Sequence, residues 1–462
     1  MFARMKWQRA NHWRTTQILC AVLGQLGCQS GLPVRSPVFS PVFSSVQAPG
    51  QASDRTAAPP VLSERRVHLV IDIGSSGTSL CLFPVQRAVV PISHSVFNSH
   101  SSPIPHSDRA QASPRCSVGA VEPVCAKSKG GLAQLVIGKS PTEITTLVMA
   151  RLRESWRQLG DVAPTGRPDW RSEVRSAAAL GTGGFRDPET GQPILRPEWR
   201  VLWQAVQQFL QHELALSQVV ARPITGSEEG QLAWVGVREA LAPTERFAIM
   251  EVGGATVQFA TADSPREIDL SKVVAVSDGR GQDLTFDKLS AAQSAHAGFS
   301  VCFSPDHRER QSGAACLDLL YESVFSDARV AGLAAVTPVR RVYALGAPWL
   351  GLLREFPSAP PWKVKTDREL PSQVRFQDLR ALAELVCSKS DRQLLTLAPH
   401  SYEAKRGIGR TCYSVAYHAA YFQAIAPAAK SQEVIPGGDE QWARGAAISG
   451  AFFSDCREHS AK

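Results

Sequence analysis

The chain has 462 residues, 44% of them hydrophobic and 20% charged, with a formal net charge of +8. That length exceeds one ordinary core and predicts two lobes of roughly 150–200 residues, and the apolar fraction excludes a wholly disordered chain. No uninterrupted apolar run approaches the ~20 residues of a membrane-spanning helix.

The first 14 residues hold Arg4, Lys6, Arg9 and Arg14 and no acid, and a short apolar stretch runs from Ile18 to Gly27. A basic start followed by a short apolar run reads as a secretory signal over residues 1–27; the alternative is a frayed N-terminal helix. Cys28, after Leu26 and Gly27, resembles a bacterial lipoprotein cleavage site. The expectation is an exported chain, periplasmic, outer-membrane or secreted, with membrane attachment through a lipidated Cys28. Residues 28–66 turn to Ser, Pro, Ala and Gln and carry the near-repeat Ser36-Pro37-Val38-Phe39-Ser40-Pro41-Val42-Phe43. Proline removes backbone donors and no amphipathic period appears, so this segment reads as an extended tether. Residues 1–27 contribute +4 and residues 28–66 +2, which leaves +2 on the body from Val67 onward. The basic excess is therefore no nucleic-acid surface.

The body opens with a β-rich run, Val67 to Asp72, then the small-residue turn Ile73-Gly74-Ser75-Ser76-Gly77-Thr78, then a second strand, Ser79 to Phe83. Much later, Phe247 to Glu251 meets Val252-Gly253-Gly254-Ala255-Thr256, and Val257 to Ala260 resumes a strand. Both units predict strand, acid, Gly-rich hairpin, strand, one in each lobe. Glycines let backbone N–H groups approach phosphate oxygens, hydroxyls add donors, and a carboxylate at the strand end can hold a divalent cation directly or through water. Two facing copies make a phosphate clamp. Between them, Ala179 to Arg186 reads as a strand end entering a Gly-rich turn with Thr182 and a guanidinium suited to phosphate. Thr225-Gly226-Ser227-Glu228-Glu229-Gly230 precedes a helical run from Gln231 to Val237. The other reading of Glu228 and Glu229 is a helix first turn enriched in acids by the dipole.

Ten cysteines are present, and eight lie in the body: Cys81, Cys116, Cys125, Cys302, Cys316, Cys387, Cys412 and Cys456. They lack the paired spacing of a zinc ribbon. An even count in an exported chain favours disulfides. Nearest-neighbour pairs would be Cys116–Cys125, Cys302–Cys316 and Cys387–Cys412; the alternative is buried free thiols.

In order, Asp72–Thr78, Gly181–Arg186, Thr225–Gly230 and Glu251–Gln258 resemble the first four conserved regions of the ecto-apyrases, the nucleoside triphosphate diphosphohydrolases. Gly438-Asp439-Glu440-Gln441-Trp442-Ala443-Arg444-Gly445-Ala446 resembles the fifth. The resemblance implies an α/β fold of two ribonuclease-H-like lobes, as in actin, the sugar kinases and the chaperone ATPases, with the active site in the cleft between them. Lobe I would take residues 67–225 plus 431–462, and lobe II residues 226–430.

It also implies hydrolysis of terminal phosphates from nucleoside tri- and diphosphates (ATP, ADP, GDP or UDP type) with Mg2+ or Ca2+. By position, Glu229 would deprotonate the attacking water, and Thr256 and Gln258 would help hold it. Ser75, Ser76, Gly77, Thr78, Gly253, Gly254 and Ala255 would cradle phosphates. Thr182 and Arg186 would line the same cleft, and Asp72 and Glu251 would hold the metal through its water shell. Three positions depart from the family: Glu251 replaces an Asp, Thr256 a Ser, and Val257 a Thr.

Base recognition in this family is by stacking between aromatics of the second lobe, which makes Trp349 and Tyr417 the candidates; the other reading of both, and of Trp442, is core packing. The Cys302–Cys316 and Cys387–Cys412 spacings also look like second-lobe disulfides of the family. An exopolyphosphatase or guanosine pentaphosphate phosphatase shares the fold and the paired glutamates. A phosphate- or nucleotide-binding surface protein without catalysis is the reading from another class.

Overall fold

The computed structural model describes residues 65–74, 77–88, 115–118, 123–162, 170–187, 190–265, 270–278, 280–281, 313–325, 341–356, 373–389, 410–425, 433–437 and 441–456, with residues 285, 302, 339 and 393. The chain divides between Ala58 and Pro59, and everything described belongs to the C-terminal unit. The signal, Cys28 and nearly all of the tether lie outside the described residues. No helix among them is long and apolar enough to cross a membrane.

Two sheets carry the fold. The first contains β1 (Arg65–Ile73), β2 (Gly77–Ala88), β3 (Arg115–Val118), β4 (Val124–Lys129), β5 (Val174–Gly181) and β6 (Gln218–Pro223). Its order is β3-β2-β1-β5-β6, with β4 sharing the outer edge of β2. The second runs β11-β12-β10-β7-β8-β9. Its members are β7 (Phe247–Val252), β8 (Val257–Thr261), β9 (Val274–Asp278), β10 (Arg341–Leu345), β11 (Val374–Arg375) and β12 (Glu433–Pro436). Each sheet has an antiparallel meander on one side of its first strand and two parallel strands on the other. The first strands are central and covered on both faces, which is why they read as near-continuous apolar runs. Because β12 belongs to the second sheet, the return to lobe I comes later than residue 431.

Three apolar clusters match this layering. The outer face of the first sheet, including Leu69, Ile71 and Leu82, packs on α1 (Pro141–Val162) and α2 (Pro197–Gln208). The outer face of the second packs on α4 (Gly313–Leu320), α5 (Ala347–Glu355), α6 (Phe376–Cys387) and α7 (Arg410–Ile425). The two inner faces share one cluster with α3 (Gly226–Leu241) and α8 (Gln441–Ile448), in which Trp442 is buried as a core residue.

The two inner helices cross in backbone contact. A methyl at Gly236 would lie 1.8 Å from the Gln441 carbonyl oxygen, and one at Gly445 would lie 1.9 Å from that of Leu232. Gly445→Ala must push the helices apart, and overpacking of this kind costs about 1–3 kcal/mol. A lower urea midpoint at unchanged m-value is the expected result; a wild-type midpoint would mean that the helices cross farther apart.

All eight body cysteines are paired, as Cys81–Cys125, Cys116–Cys456, Cys302–Cys316 and Cys387–Cys412. The nearest-neighbour pair Cys116–Cys125 is not formed. Cys125 lies directly opposite Cys81 in the β2–β4 register, and Cys116 on β3 meets the C-terminal segment. That segment is also fixed by buried His68, whose Nδ1 lies 2.6 Å from the Ala447 carbonyl oxygen and Nε2 3.2 Å from Asp455. The His68 hydrogen bond, against the cost of burial, pulls the Asp455 carboxyl down to about 2.

Candidate active site

The two Gly-rich turns are the same hairpin built twice. Gly74 N–H donates to the Gly77 carbonyl at 2.9 Å, and Gly253 N–H to the Thr256 carbonyl at 2.9 Å. The acid of each hairpin stands opposite the second residue of its return strand or the residue after it: Asp72 pairs with Ser79, and Glu251 with Gln258. Pairing continues outward, Ser79 to Lys127 on β4 and Gln258 to Ser277 on β9. Cross-strand partners share a face, so each lobe presents a polar row on its inner side: Asp72, Ser79, Lys127 and Glu251, Gln258, Ser277.

The same two-residue period moves Thr78 away. It pairs with Ile73, shares that residue's outward face, and buries its hydroxyl without a hydrogen-bond partner among the described residues. As a side-chain phosphate ligand Thr78 is therefore corrected. Val257 occupies the equivalent place in the second hairpin and is core. The hydroxyl missing there costs the site nothing.

The paired glutamates have separate jobs. Thr225 caps α3: its Oγ1 accepts from Glu228 N–H at 3.0 Å, and Glu228 Oε2 accepts from Thr225 N–H at 2.9 Å. Arg222 Nη2 also donates to Glu228, at 2.7 Å. Glu228 is thus the dipole-favoured cap. Glu229, one position round the helix, is buried and turned inward. Its Oε2 accepts from Arg186 Nη2 at 2.5 Å and from Gln258 Nε2 at 2.8 Å. Gln258 Nε2 also donates to Thr256 Oγ1 at 2.8 Å. Arg186, expected to face phosphate, has a fully buried side chain, and its Nε donates to the Ile224 carbonyl at 2.8 Å. It acts as a clamp on Glu229.

Thr182 Oγ1 donates to Asp72 Oδ1 at 3.0 Å. The next residue, Gly183, bridges the lobes: a methyl there would lie 3.1 Å from Ala255 Cβ and 3.4 Å from Thr256 Oγ1. Asp72, Thr182, Arg186, Glu229, Thr256 and Gln258 are therefore brought together, with buried Glu251 beside Gln258 on the sheet. Ser75, Ser76 and residues 438–440 lie outside the described residues. Gly77, Gly253, Gly254 and Ala255 form the hairpin tips.

Asp72 keeps some surface exposed, yet the protein around it removes enough water to raise its pKa to about 7, with Glu229 adding to the rise and Thr182, Lys127 and Arg186 opposing it. A divalent cation fits this arrangement, since hard cations take carboxylate oxygens and would relieve the accumulated negative charge. Asp72 and Glu251 would hold it. The sign of the linkage follows from the raised pKa: without a cation, this group's ionisation lowers stability as pH rises through about 7. Cation binding needs the ionised form, so Mg2+ affinity is expected to fall up to about tenfold per pH unit below 7. Mg2+ calorimetry from pH 5.5 to 8 checks this; a flat profile would refute it.

Trp349 and Tyr417 are fully buried among the helices outside the second sheet, and the Tyr417 hydroxyl donates to the Arg280 carbonyl at 2.5 Å. Both are core residues here, and the base-stacking expectation is corrected for them. Lys127, Ser79 and Ser277 were not singled out from the sequence. Their signal was the period-2 alternation outward from each acid, which needs the strand register to be read.

Two lobes of one topology, each carrying an acid-tipped hairpin on its inner face, define the actin-like ATPase fold. A crystal structure of nucleoside triphosphate hydrolases from Neospora caninum shares it with a TM-score of 0.53 at 13% identity, over 85% of this chain and 93% of that one. A Ppx/GppA family member from Aquifex aeolicus matches with a TM-score of 0.49 at 12% identity, over 85% and 99%. An exopolyphosphatase from Cytophaga hutchinsonii matches with a TM-score of 0.47 at 14% identity, over 82% and 96%. No family model and no curated protein matches the sequence.

Proposed function

We propose that the chain is an exported phosphoanhydride hydrolase that removes terminal phosphates from nucleoside tri- or diphosphates with Mg2+ or Ca2+. The observation that carries it is Glu229, held by two donors on one oxygen. Arg186 and Gln258 both bind Oε2, and among the described residues Oε1 takes no protein hydrogen bond. Oε1 is the atom to accept the proton of an attacking water. An amide NH2 has two donors, and Gln258 uses one on Glu229 and one on Thr256. Its carbonyl oxygen is left to accept from the water. Thr256 Oγ1, already accepting, directs its own proton outward to the water or a phosphoryl oxygen. The water oxygen bonds to phosphorus, its proton goes to Glu229, and the bridging P–O bond breaks toward the departing nucleotide. The backbone N–H groups of both hairpin tips serve the phosphate oxygens. A bound divalent cation would supply charge neutralisation at the phosphates. The four disulfides support an oxidising compartment and so the exported reading.

One observation favours a second reading. With Trp349 and Tyr417 buried in the core, the phosphate end is the built part of the site, which suits a substrate without a base, such as polyphosphate. The test is phosphate release from ATP, ADP, GDP, UDP and polyphosphate with Mg2+ or Ca2+. Nucleotide turnover supports the first reading, turnover of polyphosphate alone selects the second, and binding without turnover selects a non-catalytic protein.

A further inference from the structure

We infer that Lys127 is a substrate-binding residue, one that contacts the phosphate chain from the lobe I side; this rests on the phosphoanhydride reading above. The duplication of the hairpin carries the inference. In lobe II the residue opposite the acid, Gln258, reaches Glu229 and Thr256, so the inner polar row belongs to the site. The lobe I row is its equivalent by register, Asp72 to Ser79 to Lys127. Its third member carries an ammonium group where the lobe II row has Ser277. Lys127 is exposed, whereas Arg186, the cation expected to meet phosphate, is buried on Glu229. The field of Lys127 reaches Asp72, where it opposes the rise in that carboxyl's pKa. Lysine suits this place as a compact, mobile point charge that follows a phosphate through turnover.

The competing role is that of a simple counter-ion to Asp72. Binding of inorganic triphosphate in EDTA, measured for Lys127→Met in the wild-type and in the Asp72→Asn background, separates the two: a counter-ion to Asp72 has nothing to neutralise in the second background, so a loss of binding that disappears there overturns the inference. Lys127→Met is expected to weaken triphosphate about tenfold, to raise the KM of the turned-over substrate by a similar factor with kcat within about threefold, and to flatten the salt dependence of KM. Lys127→Arg should restore most of the binding. Equal triphosphate binding by wild type and Lys127→Met overturns the inference, whatever the activity. Wild-type protein that binds triphosphate without turning over any phosphoanhydride sinks the hydrolase reading alone, and the binding ratio still decides Lys127.

Discussion

Glu229→Gln is expected to lower phosphate release by roughly 10²–10⁴-fold while triphosphate still binds. The substitution keeps the shape of the side chain and removes its ability to take a proton. It also leaves the buried Arg186 guanidinium without its charge partner, and breaking a buried pair on one side costs about 3–5 kcal/mol. A thermal melt should accompany the assay for that reason. The double variant Glu229→Gln/Arg186→Gln removes both charges and is expected to recover stability without recovering turnover. Activity within tenfold of wild type in a folded Glu229→Gln protein would remove Glu229 as the base. Activity recovered in the double variant would mean that Glu229 serves only to neutralise Arg186.

Removing the Cys116–Cys456 disulfide is expected to cost about 5 kcal/mol, the largest stability effect of any single cross-link here. The reason is loop length: its cysteines are 340 positions apart, against 14 for Cys302–Cys316, whose loss is expected to cost about 3 kcal/mol. The bond also fixes the residues after α8 to β3, close to where His68 and Arg66 hold Asp455. Paired serine substitutions at each bridge, compared by denaturant midpoint, check the ranking. Equal losses at the two bridges would mean that the denatured chain does not feel the longer closure. A small loss at Cys116–Cys456 would show that the contacts around His68 already anchor the C-terminus.

The halves of the site differ in how far the sequence reveals them. Asp72 and Glu251 are legible because each ends an apolar strand and opens a Gly-rich turn, a local pattern that repeats. The doubling of that pattern also predicts two lobes of one topology, and both sheets have it. The paired glutamates look alike in the sequence. Only the capping box consumes Glu228, and only the helical turn of one residue sends Glu229 to Arg186 and Gln258. Cysteine pairing divides in the same way. Neighbours in sequence pair where the bridge closes a short stretch of lobe II, as in Cys302–Cys316 and Cys387–Cys412. In lobe I the strand register and the returning C-terminus choose the partners.

The chain's length, its repeated strand–acid–glycine pattern and its even count of body cysteines were fixed locally, by composition, propensity and turn chemistry acting over a few residues. Tertiary structure alone decided which face each side chain took, because a strand's side chains alternate with every residue and their direction follows from register. It turned Thr78 and Val257 outward, buried Trp349, Tyr417 and Arg186, and brought Lys127 onto the face of Asp72. Thr78 and Val257 take their face from the register of a hairpin five residues across, and the other placements depend on contacts between segments tens to hundreds of residues apart.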